Sequence, residues 1–265
     1  MCNQCKHKLV EFINTCLDGD IDQLKHYDFT PLGIKHRRDC DRLPVVNAMY
    51  CLLYSEHFNV TSCLLETDIF NNNCGDTLNT YKSSFENSSA GKRANLIILE
   101  ALDSDSLLSL QSTFKARYNT IGNFMPLPTK TINRISINTG RNSAANDYAD
   151  LFLTIVEDYY RYGLNEERFL QKYTAPNQRK GIQNLALVIV KNADYFALVE
   201  NFDNFISWNH LEAFYKENRF PLFEHSLESI HFKNEEDIKN YLINATAIIE
   251  DRADSIIGAL KQLLK

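Results

Sequence analysis

The 265-residue sequence predicts a mainly α protein, a single globular helical domain over residues 1–265 with a small β or irregular element inserted around residues 119–142. Three observations predict it. Apolar residues recur every three or four positions along most of the chain, the signature of helices with one buried face. Cap-favouring residues stand where those segments begin, and glycine where they end. One long stretch, 119–142, breaks the pattern with Gly122, Pro126, Pro128, Gly140 and many Thr and Asn.

Taken in order, Leu9–Leu17 has helical spacing and ends at Asp18-Gly19. A helix from about Leu43 to Glu56 opens near Pro44, which suits a first helical turn. Asn71–Asp76 is a turn, and Ser83–Gly91 is an exposed polar loop. Two helices follow, Lys92–Leu102 and Ser104–Tyr118, separated by a cap at Asp103 or Ser104. Residues 119–142 form a long ordered loop, with short β-prone runs such as Ile132–Ile137. Its apolar anchors, Ile121, Phe124, Met125, Leu127, Ile135 and Ile137, argue for order, and long ordered loops are often functional. Ser143 caps a helix from Ala144 to Tyr162, stopped by Gly163. Shorter helices are expected at Glu166–Lys172, Arg179–Asn192 and Ser207–Glu217. A last one spans Asn234–Leu264, its end weakened by Gly258.

Composition narrows the function. With 28 Lys plus Arg against 34 Asp plus Glu, the net charge of −6 disfavours general DNA binding, which needs many cationic phosphate contacts. The densest basic run, Lys35-His36-Arg37-Arg38, reads as a solvated loop. No signal-like apolar run begins the chain and no long apolar segment suits a membrane, so a soluble cytoplasmic protein is expected. All seven cysteines fall within residues 1–74, a possible N-terminal Cys-rich subregion. Their odd number argues for free thiols, with Cys51 and Cys63 as small core residues. Cys2, Cys5 and His7 invite zinc, but no second paired knuckle completes four ligands. A frayed terminus with free thiols is the plainer reading, and no metal site is assigned.

No phosphate-binding glycine loop, nucleophile elbow or zinc-protease motif occurs. Ser89–Arg93 before a helix could meet an anion, but no strand precedes it. His210, His225 and His231 read as structural. Asp147 and Asp150 share a first helical turn, where the helix dipole alone favours carboxylates. The concentrated signal is a succession of polar segments: Gly75–Thr80, Tyr118–Pro128, Asn138–Arg141 and Asp147–Phe152. It resembles a widespread uncharacterised family of bacterial and mobile-element proteins. Those carry Gly-Asp-Thr-Met/Leu-Asn-Ser, His-Thr-Ile-Gly-Asn-Phe-x-x-x-Pro and Asn-x-x-Arg-Gly segments before an Asp-rich aromatic helix. The likeness covers about residues 74–160, with an echo at Glu250-Asp251-Arg252. The chain departs from it at Asn119, where the family shows His, at Thr80 for Ser, and in the order Gly140-Arg141. A site is implied by this resemblance, but not its chemistry.

Physically, Asp76 and Asp147 are the candidate catalytic residues, as general base or metal ligand. Asn79, Thr120, Asn123, Asn138 and Arg141 are the candidate ligand-binding residues. Arg141 offers a planar fork for phosphate, and the asparagines could read a base or sugar edge. The predicted function is binding of a phosphate-bearing small molecule or nucleotide in a polar pocket, with cofactor and turnover unspecified. The structural alternative is that these groups satisfy loop backbone, with Arg141 clamped to Asp147 or Asp150. A second functional class is a non-catalytic interaction protein of a mobile element acting on a host protein, with Tyr148, Tyr159, Tyr160 and Tyr162 at its interface.

Overall fold

The computed structural model describes residues 3–54, 69–70, 75–79, 105–145, 149–215 and 235–265. The architecture is mainly α, as predicted, and the described sheet is a single two-residue pairing. In chain order the helices are α1 (Asn3–Cys16), α2 (Thr30–His36), α3 (Pro44–Leu53), α4 (Asp105–Tyr118), α5 (Ile137–Ala145) and α6 (Ala149–Arg161). They continue with α7 (Glu166–Tyr173), α8 (Lys180–Lys191), α9 (Ala193–Phe196), α10 (Phe202–Trp208) and α11 (Glu235–Leu264). Strands β1 (Asp76–Thr77) and β2 (Phe124–Met125) pair antiparallel, Asp76 opposite Met125.

Local chemistry explains the boundaries. Pro44 occupies the first turn of α3, where its missing N–H costs nothing. The side chain of Asn165 caps α7 by accepting from the Arg168 amide, and Asn201 does the same for α10 through Asn204. Both have glutamates or an aspartate in the first turn, facing the positive end of the helix dipole.

The α11 helix is the organising element. It packs on α3, on α4, and on the turns Ile21–His26 and Ile121–Asn123. Its buried residues, among them Ile238, Tyr241, Leu242, Ile249 and Ile256, recur at three- and four-residue spacing. Gly258 does not end it: the helix runs on to Leu264. A second layer forms where α5 crosses α8, and α6 carries Leu151, Phe152, Ile155 and Tyr159 into the core. A ring cluster of Tyr160, Tyr195, Phe196, Phe205 and Trp208 joins α6, α9 and α10 at centroid separations of 5–6.5 Å.

Several expectations are corrected. The irregular element ends earlier than residue 142, because α5 begins at Ile137 and includes Ser143, so Asn138 and Arg141 sit on a helix. The helix expected from Ala144 to Tyr162 is described as helical at Ala144–Ala145 and over Ala149–Arg161, with residues 146–148 outside the described residues. In place of a helix starting at Ser207, α10 starts earlier, capped by Asn201, and a 3-10 turn spans Glu212–Phe214, with residues 216–217 outside the described residues. The amino-terminal end is helical from Asn3 rather than frayed. Cys5 is buried and His7 exposed, on different faces of α1. Cys5, Cys16 and Cys40 are free thiols, but Cys51 is disulfide-bonded, its partner lying outside the described residues. The basic run 35–38 is exposed but half of it closes α2, with Arg37 left-handed at the cap. The Ser83–Gly91 loop, the Lys92–Leu102 helix, most of the Asn71–Asp76 turn, Cys2, Cys63, Asp147, Tyr148, His225 and His231 lie outside the described residues.

Candidate functional site

Three of the sequence-predicted residues meet around one guanidinium. Arg141, 1% exposed on α5, donates from Nη1 to Asp76 Oδ2 at 2.9 Å. Its Nη2 donates to the carbonyls of Thr77 and Leu78, at 3.0 and 2.7 Å. Asn138, one turn earlier, donates from Nδ2 to Asp76 Oδ1 at 2.6 Å, and the Thr77 amide donates to the same oxygen. The α5 helix thus grips β1 through two side chains on one face, as residues three apart allow. Among the described residues Arg141 pairs with Asp76 and not with Asp150, and Asp147 lies outside them. The guanidinium also stacks over the Phe152 ring at 5.3 Å.

Asn123 holds the other side of β1. Its Oδ1 accepts from the Asn79 amide, and its Nδ2 donates to the carbonyls of Asn79 and Tyr118, all at 2.9 Å. The Leu78 amide completes this by donating to the Asn123 carbonyl at 2.7 Å. Thr120 is fully buried and spends its hydroxyl on the Arg117 carbonyl. Thr120 and Asn123 therefore satisfy the backbone of the turn that carries them.

Asn79 is different. Its side-chain oxygen and nitrogen are both buried and have no hydrogen-bond partner among the described residues. A buried amide without partners costs about 1–3 kcal/mol, so an unsatisfied one needs a reason.

Sequence reasoning missed the neighbours from the Cys40–Arg42 turn. Gly75, at φ +141°, admits this turn so closely that a Cβ there would stand 2.3 Å from the Asp41 carbonyl oxygen. The approach places the Asp41 carboxyl, 8% exposed, beside Asp76. Asp41 makes no ion pair and no side-chain hydrogen bond to another described residue. Burial, then Asp76, push its pKa up to about 7, with Arg42 opposing. Asp76 is raised as well, by burial first, against the pull of Arg141. The half-buried guanidinium of Arg42 makes no hydrogen bond or ion pair among the described residues, and its Nε is sealed from solvent. No local signal marks these residues, because the contact joins positions 41 and 75 across the fold.

Asp150 is buried in the first turn of α6. Of the tyrosines expected at a partner interface, Tyr159 is fully buried and Tyr160 and Tyr162 are partly buried against the core, while Tyr148 lies outside the described residues. Among the described residues no group of three or more His, Cys, Asp or Glu could hold a metal ion. No described helix is long and apolar enough to cross a membrane.

A mainly helical chain with a buried acid–guanidinium centre is the class these features define. It belongs to a family of unknown function, DUF6994, which matches residues 82–256. The match takes in Thr120, Asn123, Asn138, Arg141 and Arg252, and begins after Asp76 and Asn79. No curated protein and no solved structure matches the chain significantly.

Proposed function

We propose that the protein binds a nucleotide or a related phosphate-bearing small molecule at the cluster of Asp41, Arg42, Asp76, Asn79, Asn138 and Arg141. The observation that carries this reading is the unsatisfied amide of Asn79, buried beside the Asp76–Arg141 centre. A side chain offering one donor face and one acceptor fits the edge of a base. Arg141 is not the anion ligand, because its Nη1 and Nη2 are already taken. Arg42 is the available cation for the phosphate. The exposed basic run 35–38 ends three residues before Asp41 and adds positive charge on that side. Asp41 would accept from a sugar hydroxyl or hold a proton near neutral pH.

The test is a thermal-shift titration of the full chain with AMP, ATP and ribose 5-phosphate. A ligand at a hundred times its Kd should add about 2.7 kcal/mol of stability. Arg42→Ala should abolish the shift while the free protein melts as before. Asn79→Leu should also abolish it and leave the free protein equally or more stable, because an unpartnered amide is removed. If none of the three compounds raises the melting temperature of the folded protein, the cluster is a structural clamp alone.

A further inference from the structure

A cavity of about 630 Å³ opens where the α9–α10 segment meets the end of α11. Its volume lies within the usual range for small-molecule sites. Leu53, Val199, Trp208 and Leu263 give it an apolar side, and Asn204, Ser207 and Gln262 a polar one. Glu200 is the charged side chain among the described residues that line it, and no Lys or Arg does.

His210 separates this space from a smaller one of about 310 Å³, lined also by Glu212 and Asp251. The imidazole is fixed: His210 stands in the left-handed region at φ 54°, and its Nδ1 lies 2.9 Å from the Ser255 hydroxyl. A non-glycine residue in that region is uncommon and here sets the ring between the two spaces. Arg252 borders the smaller space, but its Nε and one of its two terminal nitrogens are bound by backbone carbonyls of Asn209, Gly122 and Phe124.

We propose that the larger cavity is a second ligand site, one that takes a small aromatic amine with its ring against Trp208 and its ammonium toward Glu200. The apolar side suits the ring, and the polar one leaves the ammonium a hydrogen-bonding rim. The Glu200 carboxylate at the rim, with no cationic side chain among the described lining residues, disfavours an anionic head group. Burial and the neighbouring Arg252 hold the His210 pKa down to about 4, so at neutral pH the imidazole is uncharged and does not repel a cation. The inference is independent of the nucleotide reading, which uses other residues.

Trp208 is the only tryptophan of the chain, so its fluorescence reports this wall. The full-length protein should be titrated with phenethylamine, and separately with phenylacetate. A saturable change with the amine is expected, and weaker binding of phenylacetate by about fivefold or more, the scale of one partly exposed charge pair. Glu200→Gln, a surface change that leaves packing intact, should narrow that preference. Ala259→Phe, which fills the cavity, should remove binding while circular dichroism stays unchanged. A non-saturating response overturns the proposal, as does phenylacetate binding as tightly as the amine in the wild type. Undiminished binding in folded Ala259→Phe does so too.

Discussion

Two arginines, Arg141 and Arg252, are each 1% exposed, and the fold satisfies them in opposite ways. Arg141 meets a carboxylate, Asp76, and two carbonyls. Arg252 meets three carbonyls, of Asn209, Gly122 and Phe124, at 2.7–3.1 Å, and among the described residues no further hydrogen bond holds its Nη2. The nearby hydroxyls of Tyr54 and Tyr50 favour its charge, against the larger penalty of burial. One clamp is an ion pair, the other a cation held by dipoles. They pin the two strands of the small sheet from opposite sides, Arg141 gripping β1 and Arg252 gripping β2 and the turn before it. The comparison teaches that backbone carbonyls can hold a buried guanidinium in place of a counter-ion.

The largest expected effects come from removing either clamp. Arg252→Met and Arg141→Met should each lose about 3–5 kcal/mol in urea unfolding, since buried acceptors lose their donor. The two should then part company. Asp76→Asn should recover part of the Arg141→Met loss, with a coupling of about 1–3 kcal/mol, because the orphaned carboxylate is the main liability. Acidification should do the same, since an unpaired Asp76 has a raised pKa in the folded state and its destabilisation fades as the pH falls. No acid substitution should recover Arg252→Met. Equal rescue of both would show that Arg252 has an anionic partner after all.

Each clamp also stands beside a glycine that lets backbone in. At Gly122 a Cβ would lie 2.0 Å from the Ile249 carbonyl oxygen and 3.1 Å from the Ala253 Cβ, both on α11. Gly122→Ala must push the helix off the Ile121–Asn123 turn and strain the bond from Arg252 to the Gly122 carbonyl. A loss of about 3 kcal/mol is expected by thermal melting, at the upper end for overpacking. A near-neutral result would mean that α11 moves freely over that turn, and the dipole clamp would be weaker than the ion pair.

What the sequence revealed depended on the range of the interaction. The periodicity of α1, α4, α7, α8 and α11 is local, and it located these helices to within a turn except at the start of α1. The location of polar importance was legible too, because Gly-Asp-Thr and Thr-Ile-Gly-Asn are dense in residues that serve backbone. Roles were not. Arg141 has Asp76 as its partner, 65 positions away, and no spacing rule distinguishes that from Asp150. Asp41 and Arg42 enter only through the close approach at Gly75. Asn138, Thr139 and Gly140 are poor helix formers, so the start of α5 has no helical signal in the sequence, and packing on α8 overrides their propensity.

Smaller effects separate the two sides by pH. Asp41 has a folded pKa of about 7, above its unfolded value, so its contribution is fully present at low pH and lost as pH rises from about 4 through 7. His210, with a folded pKa of about 4, contributes above pH 6.5 and loses that as pH falls toward 4. Across the same interval the two slopes oppose each other. Asp41→Asn should remove the loss on raising pH and stabilise the protein at pH 8 by about 2–3 kcal/mol, an isosteric change that keeps the packing. His210→Gln should remove the loss on lowering pH. Stability curves measured from pH 4 to 8 decide it: an Asp41→Asn curve parallel to wild type would mean that Asp41 is not held beside Asp76 in solution.

The smallest expected effect tests whether α11 is continuous where it leaves the dipole clamp behind. Gly258 lies two turns beyond Arg252, exposed, with nothing within 4 Å of a Cβ placed on it. In an exposed helix interior, alanine is favoured over glycine by about 1 kcal/mol, from backbone entropy in the unfolded chain. Gly258→Ala should therefore raise the unfolding free energy by about that amount. The gain exists only if residues on both sides of 258 are helical in the folded protein, so a loss or no change would mean that the helix breaks there. In that case the segment Ala259–Leu264 would be free of the frame that Arg252 anchors, and the two clamps would hold a shorter body than the ion pair and the carbonyl set imply.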